Sequence, residues 1–275
     1  MTSQIDALPK PEAKQGEQVS FVFGFDKEKL AQLDPESMAD RERWGYEEKV
    51  ANARSVLEVY GRLPEGIRFE PGITAIFGEN GQGKTLLADV VVMAVQMEQF
   101  RQKNGIARDQ DILKKDPSGE SENRFYPVLP GTLNSSPHSN LDEQDAHAMF
   151  VATIAQCADV SDLVLHDPNK TVGAAMRTPA ALGNIAMGMS SRQAVDMLES
   201  MSSRRRKNPS IHIYDEPELG MSPRRHRDEL LPMLLDRAND GSVELVPSNS
   251  IVLFESSAPR IDLAFPEQGI TTPEV

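Results

Sequence analysis

The sequence predicts an α/β fold, a largely parallel sheet flanked by helices, with a helical and loop-rich insert near its middle. Three observations predict it. In the C-terminal third, strand-like and helix-like segments alternate. Ile211–Tyr214 is a short strand, and Arg224–Arg237 carries Leu230, Leu231, Leu234 and Leu235 at helical spacing. Val243–Val246 and Ile251–Phe254 read as further strands, and such alternation is the pattern of strands joined by helical crossovers. Upstream, the apolar strand Ile73–Phe77 runs into a glycine-rich turn. Leu86–Met97 follows, apolar except for Asp89 and Gln96, as expected of a helix buried on most sides. Finally, 275 residues with 39% hydrophobic content suit one domain of this type.

In chain order, residues 1–18 are polar and read as a disordered or loosely attached lead. Val19–Phe25 alternates aromatics as a strand does. Glu36–Val59 is charged with scattered apolar positions and reads as helical in part. Gly66–Phe77 reads as two strands broken by Pro71-Gly72, a turn dipeptide. From Glu98 to about Asn140 the composition turns polar, with Asp116-Pro117-Ser118-Gly119 and Asn134-Ser135-Ser136-Pro137, and this opens the insert, taken as about 98–188. Periodicity leaves Met149–Ala155 open between strand and helix. Ala194, Val195, Met197, Leu198 and Met201 form the apolar stripe of an amphipathic helix.

The whole is read as a single domain over 1–275. A net charge of −13 argues against a protein-wide nucleic-acid-binding face but leaves room for a local one. Arg204-Arg205-Arg206-Lys207 and Pro223-Arg224-Arg225-His226-Arg227 are the two basic clusters; each is equally a solvated helix end. The single cysteine, Cys157, excludes an intrachain disulfide and a multi-cysteine metal site, in keeping with a reducing cytoplasm. The most apolar window, Leu86–Val95, falls short of the roughly 20 residues a bilayer requires, so no membrane insertion is expected.

Gly78-Glu79-Asn80-Gly81-Gln82-Gly83-Lys84-Thr85 matches Gly-x-x-x-x-Gly-Lys-Ser/Thr in full, between an apolar strand and an apolar helix. Glycines let such a loop curl so that successive backbone N–H groups point at phosphate oxygens, and the helix start adds its positive dipole end. Lys84 is expected on the β- and γ-phosphates of ATP and Thr85 on Mg²⁺.

Ile211-His212-Ile213-Tyr214-Asp215-Glu216-Pro217 is a strand ending in two adjacent acids. Where the chain turns, both can face a nucleotide. Asp215 is then the second Mg²⁺ partner and Glu216 the general base for attacking water. Without the phosphate loop upstream, the same pair would read as a solvated turn. His212, inside the strand, reads as a hydrogen-bonded structural residue.

These motifs resemble the ATP-binding-cassette superfamily of P-loop NTPases, and within it small soluble ATPases related to the chromosome-maintenance and DNA-repair group. The likeness rests on Gly78–Thr85, on Met189-Ser190-Ser191-Arg192-Gln193, and on Tyr214-Asp215-Glu216-Pro217-Glu218-Leu219-Gly220-Met221-Ser222-Pro223. It implies that Ser190 and Gln193 occupy the signature segment, which touches the ATP held by a second protomer and so implies an ATP-dependent homodimer. Ser191 and Arg192 replace the family's two glycines, and a helix cap at Ser190 or Ser191 is the alternative. The family's switch histidine has no counterpart. Asn249, in Pro247-Ser248-Asn249-Ser250, stands closest to its place and can donate a hydrogen bond but cannot carry a proton. Gln156 is the candidate for the glutamine that senses Mg²⁺. Tyr46, Tyr60 and Phe69 are the aromatics upstream, each read as core rather than as an adenine platform.

Three functional classes follow: a DNA-maintenance or defence ATPase working as a dimeric clamp, the peripheral nucleotide-binding subunit of a transporter, and a P-loop kinase using Arg204–Lys207 as lid cations. The run from Asp215 to Pro223 speaks against the kinase.

Overall fold

The computed structural model describes residues 18–36, 46–113, 125, 141–165, 177–178, 210–218, 221–238 and 241–273. The expectations placed on the N-terminal lead up to residue 17, the Ala194–Met201 helix, Ser190, Gln193 and Arg204–Lys207 lie outside them.

The elements run β1 (Ser20–Phe25), α1 (Lys27–Ala31), α2 (Tyr46–Gly61), β2 (Ile67–Phe69), β3 (Gly72–Phe77), α3 (Lys84–Asn104), α4 (Leu141–Ala155), β4 (Ala158–Val164), β5 (Arg177–Thr178) and β6 (Ile211–Tyr214). A helical stretch follows in three pieces: α5 (Pro223–Arg225), a π-helical turn (His226–Leu230) and α6 (Leu231–Ala238). Then come β7 (Val243–Pro247), α7 (Ile251–Phe254), β8 (Arg260–Asp262) and β9 (Ile270–Thr271).

The strands form two sheets. One is antiparallel, in the order β2-β1-β4; the other has six strands in the order β5-β6-β7-β3-β8-β9. The second is parallel throughout except for its last pair, β8 with β9. The alternation of strand and helix is what a parallel sheet requires, since each return crossing needs a connecting segment.

The period-2 alternation of side chains splits the parallel sheet into two apolar faces. Ile76, Ile211, Ile213, Val243 and Leu245 face a core that includes Leu87 and Val90–Val95 of α3. Ile73, Ala75, Phe77, Tyr214 and Val246 face a second, with Leu230, Met233, Leu234 and Leu253. The first core continues through Phe21, Phe23 and Phe69 of the antiparallel sheet and Val151, Ala152 and Ile154 of α4. The helix α3 is therefore covered nearly all round, which is why its sequence lacks a polar face. Met149–Ala155, open between strand and helix, lies inside α4.

Ile251–Phe254 forms a helix and not the strand expected. A short apolar run does not distinguish the two by pattern, and the deciding group precedes it. Ser250 is the N-cap, its side chain accepting from the Leu253 N–H, which favours a helix start. The tail contributes β8, which pairs with β3 at Ala75–Phe77.

Candidate functional site

The phosphate loop closes between β3 and α3. Gly83, the N-cap of α3, has φ 86° and offers no side-chain cap, so the first amides of this long helix have no side-chain acceptor and remain available to an anion. A Cβ at Gly83 would lie 2.9 Å from the Tyr60 hydroxyl and 3.0 Å from a Val56 methyl, so only glycine fits here. Tyr60 anchors the turn by donating to the Gly83 carbonyl at 2.8 Å. Within the loop, the Glu79 N–H donates to Oε1 of Gln82 at 2.7 Å. Asn80 and Gly81 lie exposed at its tip.

Lys84 is buried, 6% exposed, with Nζ donating to the carbonyls of Gly78 at 2.9 Å and Glu79 at 3.2 Å. The ammonium is thus folded over the loop that carries it, the place where a phosphate would meet its charge. One residue on, the Thr85 hydroxyl donates to Oδ1 of Asp215 at 2.6 Å, across 130 positions of sequence. Two hard oxygen ligands are joined there, a set that suits Mg²⁺, which takes one or two protein oxygens and the rest from phosphate and water.

Asp215 is buried and Glu216 partly exposed. The chain turns sharply between strand and loop: Glu216 has φ 46°, the left-handed region that non-glycine residues seldom occupy and that clusters at functional sites. Its N–H donates to the Pro247 carbonyl at 2.8 Å. Asn249 Nδ2 donates to Glu216 Oε1 at 2.7 Å. Burial pushes the Glu216 carboxyl above its ordinary value, with the negative charges of Asp215 and Glu218 adding to it and Lys84 and Asn249 opposing. A carboxylate so placed is a stronger base than a solvated one.

Lys84, Thr85, Asp215, Glu216 and Asn249 thus stand in one linked group. Gln156 stands elsewhere. It lines a cavity of about 670 Å³ with Arg101 and Arg108, at the far end of α3, and Arg101 is about 25 Å along the helix from Lys84 at roughly 1.5 Å per residue. Tyr60 and Phe69 are fully buried, stacked on Phe25 and Phe21 respectively, so both are core. In the Pro223–Arg227 cluster, Arg224 and Arg225 pair with Asp228 and Glu229 one helical turn on.

Glu218, Ser248, Ser250 and His226 belong to segments singled out in the sequence but had no individual role there, and all four are buried. Oε1 of Glu218 accepts from the Ser248 hydroxyl and the Asn249 N–H, each at 2.7 Å. Its position three residues past Asp215 was the available signal, but an acid in a turn gives no hint of being buried.

Among the described residues no helix is long and apolar enough to cross a membrane. Residues 49–142 match a family model described as an AAA domain; that stretch takes in the phosphate loop and ends before the acid pair. No curated protein and no solved structure matches the chain. Over the matched stretch, and in its mixed α/β fold with a mostly parallel sheet, the chain is similar to P-loop ATPases.

Proposed function

We propose that this protein binds ATP with Mg²⁺ and hydrolyses it, the nucleotide acting as a switch or clamp between two copies of the chain. The observation that carries the hydrolytic reading is the bond from Thr85 to Asp215 with Glu216 beside it under the Asn249 amide. Gly78–Thr85 would cradle the phosphates through backbone amides, and Lys84 would neutralise their charge. Thr85 and Asp215 would hold Mg²⁺, which when bound draws charge from the β- and γ-phosphate oxygens. Glu216, a carboxylate held at Oε1 and raised in basicity, is placed to orient and deprotonate water. Asn249 fixes that carboxylate and has no proton to exchange, so slow or partner-dependent turnover is expected.

The clamp rests on the sequence likeness at Ser190 and Gln193, and the same likeness favours work in DNA maintenance or defence over a transporter subunit or a kinase. Phosphate release from MgATP without any acceptor, abolished by Lys84→Ala and by Glu216→Gln, tests the chemistry. Gel filtration of Glu216→Gln with ATP tests the clamp: a dimer supports it, and a monomer at saturating ATP refutes it. Release that requires a phosphoryl acceptor would favour the kinase. Salt-sensitive DNA binding lost in Arg205→Glu would support a nucleic-acid site on Arg204–Lys207.

A further inference from the structure

We propose that Glu218 is a positioning residue for hydrolysis: with His226 it holds the Pro247–Ser250 loop so that the Asn249 amide stays on the Glu216 carboxylate. The inference rests on the ATPase reading and adds two residues that neither the phosphate loop nor the acid pair contains.

Glu218 grips the loop from one side. Its Oε1 accepts from the Ser248 hydroxyl and from the Asn249 backbone N–H, both at 2.7 Å. Ser248 Oγ in turn accepts from the Ser250 N–H at 2.9 Å. His226 grips from the other side. Its Nε2 is 3.1 Å from the Glu218 carbonyl and its Nδ1 is 3.0 Å from Ser250 Oγ. A carbonyl oxygen only accepts, so Nε2 carries the proton. The ring therefore joins the turn after the acid pair to the end of the loop. From the Glu218 carboxylate through the Asn249 backbone to the Asn249 side chain, the chain of bonds ends on Glu216 Oε1 at 2.7 Å.

Two features of the arrangement carry a cost in stability. Oε2 of Glu218 is buried without a hydrogen-bond partner, a state in which the desolvation of the oxygen goes uncompensated. His226 opens a π-helical turn, a departure from α geometry that is frequent at functional sites. An apolar residue at 218 would remove the first cost, and an unbroken α-helix the second. Holding Asn249 in register with Glu216 is what both retain.

The test is single-turnover phosphate release alongside equilibrium binding of a fluorescent ATP analogue, on the full chain. Glu218→Ala should leave nucleotide affinity within about threefold and lower the hydrolysis rate about 10–100-fold, the scale of a loss of alignment near 1 Å. Glu218→Gln keeps an acceptor oxygen for the Asn249 N–H and should recover most of the rate. Asn249→Ala should cost about as much as Glu218→Ala, and the double variant little more, because both act through one contact. Amide exchange at 248–250 should quicken in Glu218→Ala. A normal rate in Glu218→Ala, multiplicative losses in the double variant, or a parallel loss of affinity and rate that Gln fails to repair would each overturn the proposal. If the unmodified protein binds the analogue but releases no phosphate, the hydrolytic reading falls and this inference with it.

Discussion

Replacing Gly83 by alanine tests whether the phosphate loop is held by steric closure against α2. At φ 86° an alanine carries a left-handed penalty of about 1–2 kcal/mol. Its Cβ would meet Tyr60 Oη at 2.9 Å and the two Val56 methyls at 3.0 and 3.2 Å. Both neighbours are buried, Tyr60 completely, so neither swings away, and overpacking of this kind costs about 1–3 kcal/mol. The sum is about 3 kcal/mol, or about 6 °C in Tm at roughly 2 °C per kcal/mol for a chain this long. Nucleotide affinity should fall at least about tenfold as the start of α3 is displaced from the phosphates. Calorimetric melting of Gly83→Ala, Val56→Ala and the double variant separates the two terms. Removing the Val56 methyls relieves their share of the clash but leaves the Tyr60 contact and the backbone strain, so a coupling of about 1 kcal/mol between the two sites is expected. Additive losses, or a Gly83→Ala melting point within about 1 °C of the parent, would refute the steric account.

Other outcomes follow from the same geometry. Lys84→Ala removes a buried ammonium and should weaken ATP binding by about 100-fold, the scale of about 3 kcal/mol for charge-assisted hydrogen bonds, read by titration calorimetry. Glu216→Gln should cut phosphate release about 10²–10⁴-fold, the usual worth of a general base. It should also stabilise the fold near neutral pH. Because the folded Glu216 pKa lies above its unfolded value, the native state holds the proton more tightly, and stability falls as pH rises from the ordinary glutamate value through the raised one. Glutamine cannot ionise, so its advantage in Tm should be small at pH 4 and grow toward neutrality; an advantage that shrinks would contradict the assignment. Cys157 is buried and its thiol is pushed up to about 11, chiefly by burial. At pH 8 a thiol reagent should label the native protein far more slowly than the unfolded chain, and equal rates would count against its placement.

The legible parts of the sequence were those where a local pattern has one physical meaning. Gly78–Thr85 needs its glycines for curvature and its flanks for a strand and a helix, and all are in place. Leu86–Met97 has no polar face because α3 is covered on nearly every side. What stayed hidden depends on partners remote in sequence. Ile251–Phe254, read as a strand, is the exception, since the Ser250 cap that makes it a helix is its immediate neighbour. Glu218 and His226 are ordinary polar residues until the Pro247–Ser250 loop lies against them. Ala158–Val164 carries Asp159, Ser161 and Asp162, which conceal a strand whose partner is β1, more than a hundred residues earlier. The π-helical turn at His226–Leu230 leaves no mark on periodicity, since one wide turn shifts the leucines by a single position.

The strand order explains why one loop governs the candidate site. β3, which ends in the phosphate loop, and β6, which ends in the acid pair, are not neighbours; β7 lies between them. At about 4.8 Å per strand their ends stand about 10 Å apart. That is too far for Thr85 and Asp215 to meet at strand level, and the gap closes because Thr85 sits in the first turn of α3, beyond the strand. The same order sends the segment after β7 through the interval. Its Ser248 N–H is held by the Ile76 carbonyl on one side, while its Pro247 carbonyl holds the Glu216 N–H on the other. A residue at 249 therefore lies over the acid pair whatever its identity, and its side chain decides what Glu216 feels. Asn249→His, placing a titratable ring there, should add an ionisation near neutrality to the pH dependence of phosphate release. A profile unchanged by that replacement would show that position 249 does not govern Glu216.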